Sequence, residues 1–197
     1  MSQNIVIIDY GAGNLFSVQK ALERLGYRAT LSNDCEAIQK ADKVIFPGVG
    51  QAASAMQQLS KNGLYKLIPS IKVPLLGICL GMQLLCDFSE EGNTKGLGVF
   101  PMTAKRFSDN MKIPHMGWNT VDELKSPLFK DIPDNSFVYF VHSYYVPYNE
   151  YCIASCNYNG KFAAAIQKDN FYACQFHPEK SASIGEMILK NFLEING

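Results

Sequence analysis

Over the first 90 residues short β-branched runs alternate with segments of helical period. Asn4-Ile5-Val6-Ile7-Ile8-Asp9 is closed by Tyr10-Gly11-Ala12-Gly13 and predicts a buried strand followed by a turn. Asn14 suits the N-cap of a helix over 15–25, and Gly26 is placed to end it. The same rhythm predicts strands at 28–31, 43–46 and 74–78, with helices over 36–40, 51–59 and 80–87. Repeated strand–helix–strand units with short apolar strands imply a parallel sheet with helices on both faces.

From residue 96 to 175 the pattern becomes mainly strand, at 98–106, 119–121, 137–141, 151–157, 161–167 and 171–175. Asn157-Tyr158-Asn159-Gly160 and Lys168-Asp169-Asn170 read as hairpin turns. A helix over 183–193 closes the chain. The expectation is a single α/β domain over 1–197: an open, mostly parallel sheet flanked by helices, with an added antiparallel strand region in the second half.

Composition narrows the function classes. The chain has 197 residues, 47% of them apolar, which suits a globular domain. Its 18 basic and 18 acidic residues cancel, which argues against nucleic acid or an anionic membrane held by bulk charge. The longest apolar stretch, 73–86, is too short to span a bilayer and contains Gln83. The start lacks a basic signal-peptide region, and six cysteines are too few for a disulfide scaffold, so a cytoplasmic protein is expected. Neither the cysteines nor the three histidines show metal-ligand spacing, so no metal and no cofactor is expected.

One cysteine stands apart. Gly77-Ile78-Cys79-Leu80-Gly81, between a strand and a helix, is the cysteine form of the nucleophile elbow. Flanking glycines permit the tight turn, and the helix N-terminus favours a thiolate. The Leu80 N–H is then placed as an oxyanion donor. The alternative is a buried cysteine between packing glycines. A thiolate needs a base and an orienter, and Gln175-Phe176-His177-Pro178-Glu179, after the last strand, offers His177 and Glu179. Pro47-Gly48-Val49-Gly50 ends the preceding strand and is the natural source of a second oxyanion donor. Gly48-x-Gly50-x-x-Ala53 also matches a dinucleotide fingerprint, but residues 51–86 contain no acid to hold a ribose. Gly11-x-Gly13 has Phe16 where a third glycine belongs, so both dinucleotide readings fall.

With Cys79, His177 and Glu179 at matching positions, the sequence resembles the class I (triad) glutamine amidotransferases over essentially its whole length. Asp9-Tyr10-Gly11-Ala12-Gly13-Asn14-Leu15, Pro114-His115-Met116-Gly117-Trp118-Asn119, Phe140-Val141-His142-Ser143-Tyr144 and His177-Pro178-Glu179-Lys180-Ser181 narrow the likeness to the glutaminase subunits of imidazole glycerol phosphate synthases. Met102 departs from the glycine common there, at a strand turn.

The resemblance implies a flavodoxin-like fold and hydrolysis of L-glutamine to glutamate and ammonia. The ammonia would be channelled to a (β/α)8-barrel cyclase subunit, in a heterodimer that makes imidazole glycerol phosphate and aminoimidazole carboxamide ribotide for histidine biosynthesis. It implies that the 47–50 peptide blocks the oxyanion hole (Val49, Gly50, Leu80) until the loaded cyclase favours its flip. It further implies glutamine binding by Gly48, Gln83, Ser143 and Tyr144, and a cyclase-facing surface with Asn14, Trp118, Tyr139 and Lys180. Gln83 also reads as an ordinary polar helix residue, and Tyr139 and Trp118 as core aromatics. Cysteines 35, 86, 152, 156 and 174 read as structural.

Overall fold

Each strand of the first half feeds a helix in the computed structural model, which describes residues 3–11, 14–110, 112–158 and 160–196. The order is β1 (Ile5–Ile8), α1 (Leu15–Arg24), β2 (Ala29–Ser32), α2 (Cys35–Gln39), β3 (Lys43–Gly48), α3 (Ala52–Lys61), α4 (Leu64–Leu67), β4 (Leu75–Cys79) and α5 (Leu80–Leu84). Asn14 caps α1 by accepting from the Ser17 N–H, and Gly26 follows the helix at φ +85°. The second half contributes β5 (Cys86–Ser89), β6 (Thr94–Lys95), β7 (Phe100–Arg106), β8 (His115–Val121), β9 (Ser136–His142), β10 (Tyr144–Tyr145), β11 (Cys152–Asn157), β12 (Lys161–Lys168), β13 (Phe171–Cys174) and α6 (Ala182–Glu194).

Seven strands form the main sheet in the order β11-β12-β13-β4-β3-β1-β2. From β13 to β2 all pairs are parallel, whereas β12 and β11 return antiparallel. β13 is therefore inserted next to β4, and three of the later strands extend the main sheet rather than standing apart from it. The separate additions are a four-stranded sheet, β10-β7-β5-β6, and the β8–β9 ribbon. Alternate residues of the buried strands supply two cores. Ile5, Ile7, Ile45, Leu76 and Ile78 pack with Val18 and Leu22 of α1 and with Ile188, Leu189 and Phe192 of α6. Val6, Ile8, Val44, Phe46 and Leu75 face Ile38, Ala55, Leu59 and Leu64 on the other side.

The helix expected over 80–87 ends at Leu84 instead, and Cys86 starts a strand. The Leu84 carbonyl, which a longer helix would offer to Phe88, accepts from the Leu97 N–H, and those of Leu85, Cys86 and Asp87 accept from residues 96 and 98–100, which holds this segment against the following chain rather than in a helix. Cys86 thus shares no helix face with Cys79. No described helix is long and apolar enough to cross a membrane.

Candidate active site

Cys79 is the last residue of β4 and stands immediately before α5, at φ +54° and ψ −108°. That is left-handed territory, costly for a residue with a Cβ. Close packing imposes it. A Cβ on Gly81 would fall 2.0 Å from the Phe46 carbonyl oxygen, and one on Gly77 would meet Leu85 Cδ1 at 2.9 Å. The elbow is therefore pressed against β3, and only glycines permit that approach.

Register sets the rest of that edge. Gly48 of β3 lies opposite Cys79 of β4, which carries the 47–50 turn past the Cys79 thiol. A Cβ on Gly48 would come within 2.8 Å of both the Gly81 amide nitrogen and the Tyr10 hydroxyl. Val49 and Gly50 then line a cavity of about 330 Å³ with Cys79, Leu80, Gln83, Ser143, Tyr144, His177 and Lys180. That is the small end of the range for ligand sites.

His177 and Glu179 arrive from the neighbouring strand, just after β13. His177 Nδ1 and Glu179 Oε1 are 2.8 Å apart, with side chains 3% and 2% exposed. His177 Nε2 is buried and has no hydrogen-bond partner. Burial pulls the imidazole down, but the Cys79 sulfur and the Glu179 carboxylate beside it prevail and raise it to about 10. The turn is strapped to β9: the His177 N–H donates to the Tyr139 carbonyl at 2.9 Å, and the Tyr139 N–H donates to Ser181 Oγ at 2.9 Å. The Ser181 hydroxyl donates in turn to the His177 carbonyl at 2.7 Å.

Three further groups bear on the thiol or the cavity. Gln175 Nε2 donates to Cys79 Sγ at 3.7 Å, its Oε1 accepts from Gln83 Nε2 at 2.9 Å, and Gln83 Nε2 also donates to the Tyr144 carbonyl at 2.9 Å. Glu91 lines the cavity while its Oε2 accepts from the Ala52 N–H at 2.8 Å, which pins α3. Sequence reasoning named none of Gln175, Glu91 and Ser181 for a role, although two of them flank the His-Pro-Glu motif it used.

The remaining expected residues divide. Gln83, Ser143 and Tyr144 meet in the cavity, whereas Gly48 lies behind its wall and Asn14 is an exposed helix cap. Trp118 is 53% exposed, which removes the core alternative, and it packs edge-on against the half-buried Tyr139 at 6.0 Å. Lys180 is exposed at the cavity rim. Of the other cysteines, 86, 152, 156 and 174 are buried and Cys35 is half-buried. Among the described residues no cluster of three His, Cys, Asp or Glu side chains suits a metal.

An open sheet whose strand ends present a cysteine elbow beside a buried histidine–glutamate pair defines the α/β enzymes that cleave an acyl bond through a thiol. Residues 6–195 match the family model described as glutamine amidotransferase class-I. Relatives carrying the name imidazole glycerol phosphate synthase subunit HisH include proteins of Bacteroides fragilis strain YCH46 (54% identical over 97% of this chain and 99% of the relative) and Bacteroides thetaiotaomicron (50%, with the same coverage). The chain accordingly belongs to the class-I glutamine amidotransferases, in their branch of imidazole glycerol phosphate synthase HisH subunits. Solved structures with the same fold include one described as a glutamine amidotransferase (TM-score 0.75, 18% identity, 96% of this chain and 97% of that one). PurLQS from Thermotoga maritima is another (TM-score 0.73, 14% identity, 98% of both chains).

Proposed function

We propose that Cys79, His177 and Glu179 hydrolyse the side-chain amide of L-glutamine, and that the chain, one domain, serves as the glutaminase subunit of a cytoplasmic imidazole glycerol phosphate synthase. The observation that carries this reading is the buried His177–Glu179 pair, with Nε2 left unpartnered in the cavity that holds the elbow cysteine. The Cys79 thiolate attacks the amide carbon, and the resulting oxyanion is met by the Leu80 N–H and a donor from the 49–50 turn. His177 Nε2–H protonates the departing nitrogen, which leaves as ammonia, and a glutamyl thioester remains. His177 Nε2 then takes a proton from water, the hydroxide attacks the thioester, and glutamate departs as the thiolate is restored. Glu179 holds the imidazole through Nδ1 and balances its charge. Gly50, at φ +96° with open space around its Cα, supports a turn able to change its peptide orientation.

The partner is proposed to be a (β/α)8-barrel cyclase. Met116, Trp118 and Phe137, all exposed on one face of the β8–β9 ribbon, support an apolar docking surface that includes Tyr139, and the exposed Lys180 and Asn14 are assigned to the same contact on the resemblance alone. The test measures glutamate release and synthase turnover with the cyclase present. Cys79→Ala should lose at least about 10³-fold in glutamine-dependent turnover yet keep turnover on added ammonium salt. Undiminished glutamine use by Cys79→Ala would overturn the assignment.

A further inference from the structure

Beside the cavity, the β8–β9 register sets His115 directly opposite His142. Both side chains are buried, and His115 Nδ1 lies 3.0 Å from His142 Nε2. The proton positions follow from the partners at each end. His142 Nδ1 is 2.7 Å from the Tyr144 carbonyl oxygen, which can only accept, so Nδ1 carries the proton and Nε2 is an acceptor. His115 Nδ1 must then donate, leaving its Nε2 to accept from Asn119 Nδ2 at 3.3 Å. The Asn119 amide is held the right way round at both atoms: Oδ1 accepts from the Thr120 N–H at 2.8 Å, and Nδ2 also donates to the Asn157 carbonyl at 3.2 Å. A donor at one end and a carbonyl at the other leave a single arrangement. Burial, which lowers His115 to about 4 and His142 to about 3, keeps both rings neutral.

The Tyr144 carbonyl is shared with Gln83, whose two amide protons are both committed, one to Tyr144 and one to Gln175 Oε1. Gln83 thereby keeps Oε1 as the atom it can offer a ligand. We propose that His115 and His142 are positioning residues for glutamine: a proton-fixed relay that holds the Tyr144 carbonyl and, through it, the orientation of Gln83. This rests on the glutaminase reading above and adds to it two residues, His142 in the cavity wall and His115 behind it, that act through the Tyr144 carbonyl.

Packing and hydrogen bonding can be separated at His115, which stacks on Phe140 (4.8 Å, 23°) and on Tyr158 (3.9 Å, 18°). His115→Phe keeps an aromatic ring in the stack and removes the donor to His142. His115→Asn keeps a donor at the Nδ1 position and removes the ring. With the cyclase present, His115→Phe should raise the glutamine KM about fivefold, the effect of one hydrogen bond, with kcat within about twofold. His115→Asn should keep a near-native KM despite a lower melting temperature. A KM that follows melting temperature across the two variants overturns the relay, as does an unchanged KM in His115→Phe. Nitrogen-15 spectra of the wild-type imidazoles give a second, activity-free reading. Both rings should be neutral Nδ1–H tautomers at pH 7, and an Nε2–H tautomer in either overturns the relay. A wild-type chain that shows these tautomers but releases no glutamate with the loaded cyclase present overturns the glutaminase reading instead.

Discussion

Cys79 and the three histidines occupy environments that pull in different directions. At Cys79 the φ of +54° inverts an ordinary preference. Glycine usually costs about 0.5–1 kcal/mol relative to alanine inside regular structure. Here alanine would retain the strained backbone, worth about 1–3 kcal/mol, whereas glycine would relax it. Cys79→Gly should therefore unfold at a higher temperature than Cys79→Ala in thermal melts of the two inactive proteins. The histidines make stability depend on pH from both sides. His115 and His142 are lowered by burial, so unfolded chains take up protons near pH 6.5 that the folded chain refuses until about pH 4 and 3. Stability is complete above pH 6.5 and falls below it, by about 1.4 kcal/mol per pH unit for each ring. His177 has the opposite sign. Burial works against its charge but the thiol and Glu179 outweigh it, so its contribution is full below pH 6.5 and is lost as pH rises to about 10. Unfolding titrations from pH 4 to 10 should show a maximum near neutrality, with a shallower acid limb in His115→Asn.

Among the elements, the strand–helix alternation of the first half was legible because buried strands and capped helices leave strong local signals, as at Asn14 and Gly26. The end of α5 was not. The apolar stretch 73–86 hides a strand, a turn and a helix, and periodicity alone cannot divide such a run. What competes with the helix is the backbone of residues 96–100, which bonds to the carbonyls of residues 84–87. The proposed triad could be picked out because the glycines around Cys79 and the His-Pro-Glu sequence are contiguous. The His115–His142 pair could not, since its members are 27 residues apart and only the ribbon register joins them. Element packing also positions the acid of the triad. A Cβ on Gly185 in α6 would lie 1.9 Å from the Pro178 carbonyl oxygen, between His177 and Glu179. Gly185→Ala must push that turn away, which should cost about 1–3 kcal/mol in denaturant unfolding. It should also lower kcat by more than it changes the glutamine KM, because the displaced turn carries the proton-transfer pair.

For the whole molecule, the distribution of apolar surface matters more than its net charge of zero. The β8–β9 ribbon turns Val138, Phe140 and His142 inward and leaves Met116, Trp118 and Phe137 exposed, an expensive surface for a chain that works alone. Trp118→Ala should weaken association with the cyclase by about 2 kcal/mol or more in a titration, with a melting temperature close to wild type. Sheet order carries a different consequence, one for synthesis. β13 sits between β12 and β4, so until residue 174 has been made the strand bearing the nucleophile has an unpaired edge. The imidazole and carboxylate that serve the thiol follow within the next five residues. A chain stopped before residue 171 lacks the proposed acid–base pair and leaves β4 open to strand addition by its neighbours. The last pairing of the main sheet and the proposed acid–base pair are therefore delivered within the same few residues of synthesis.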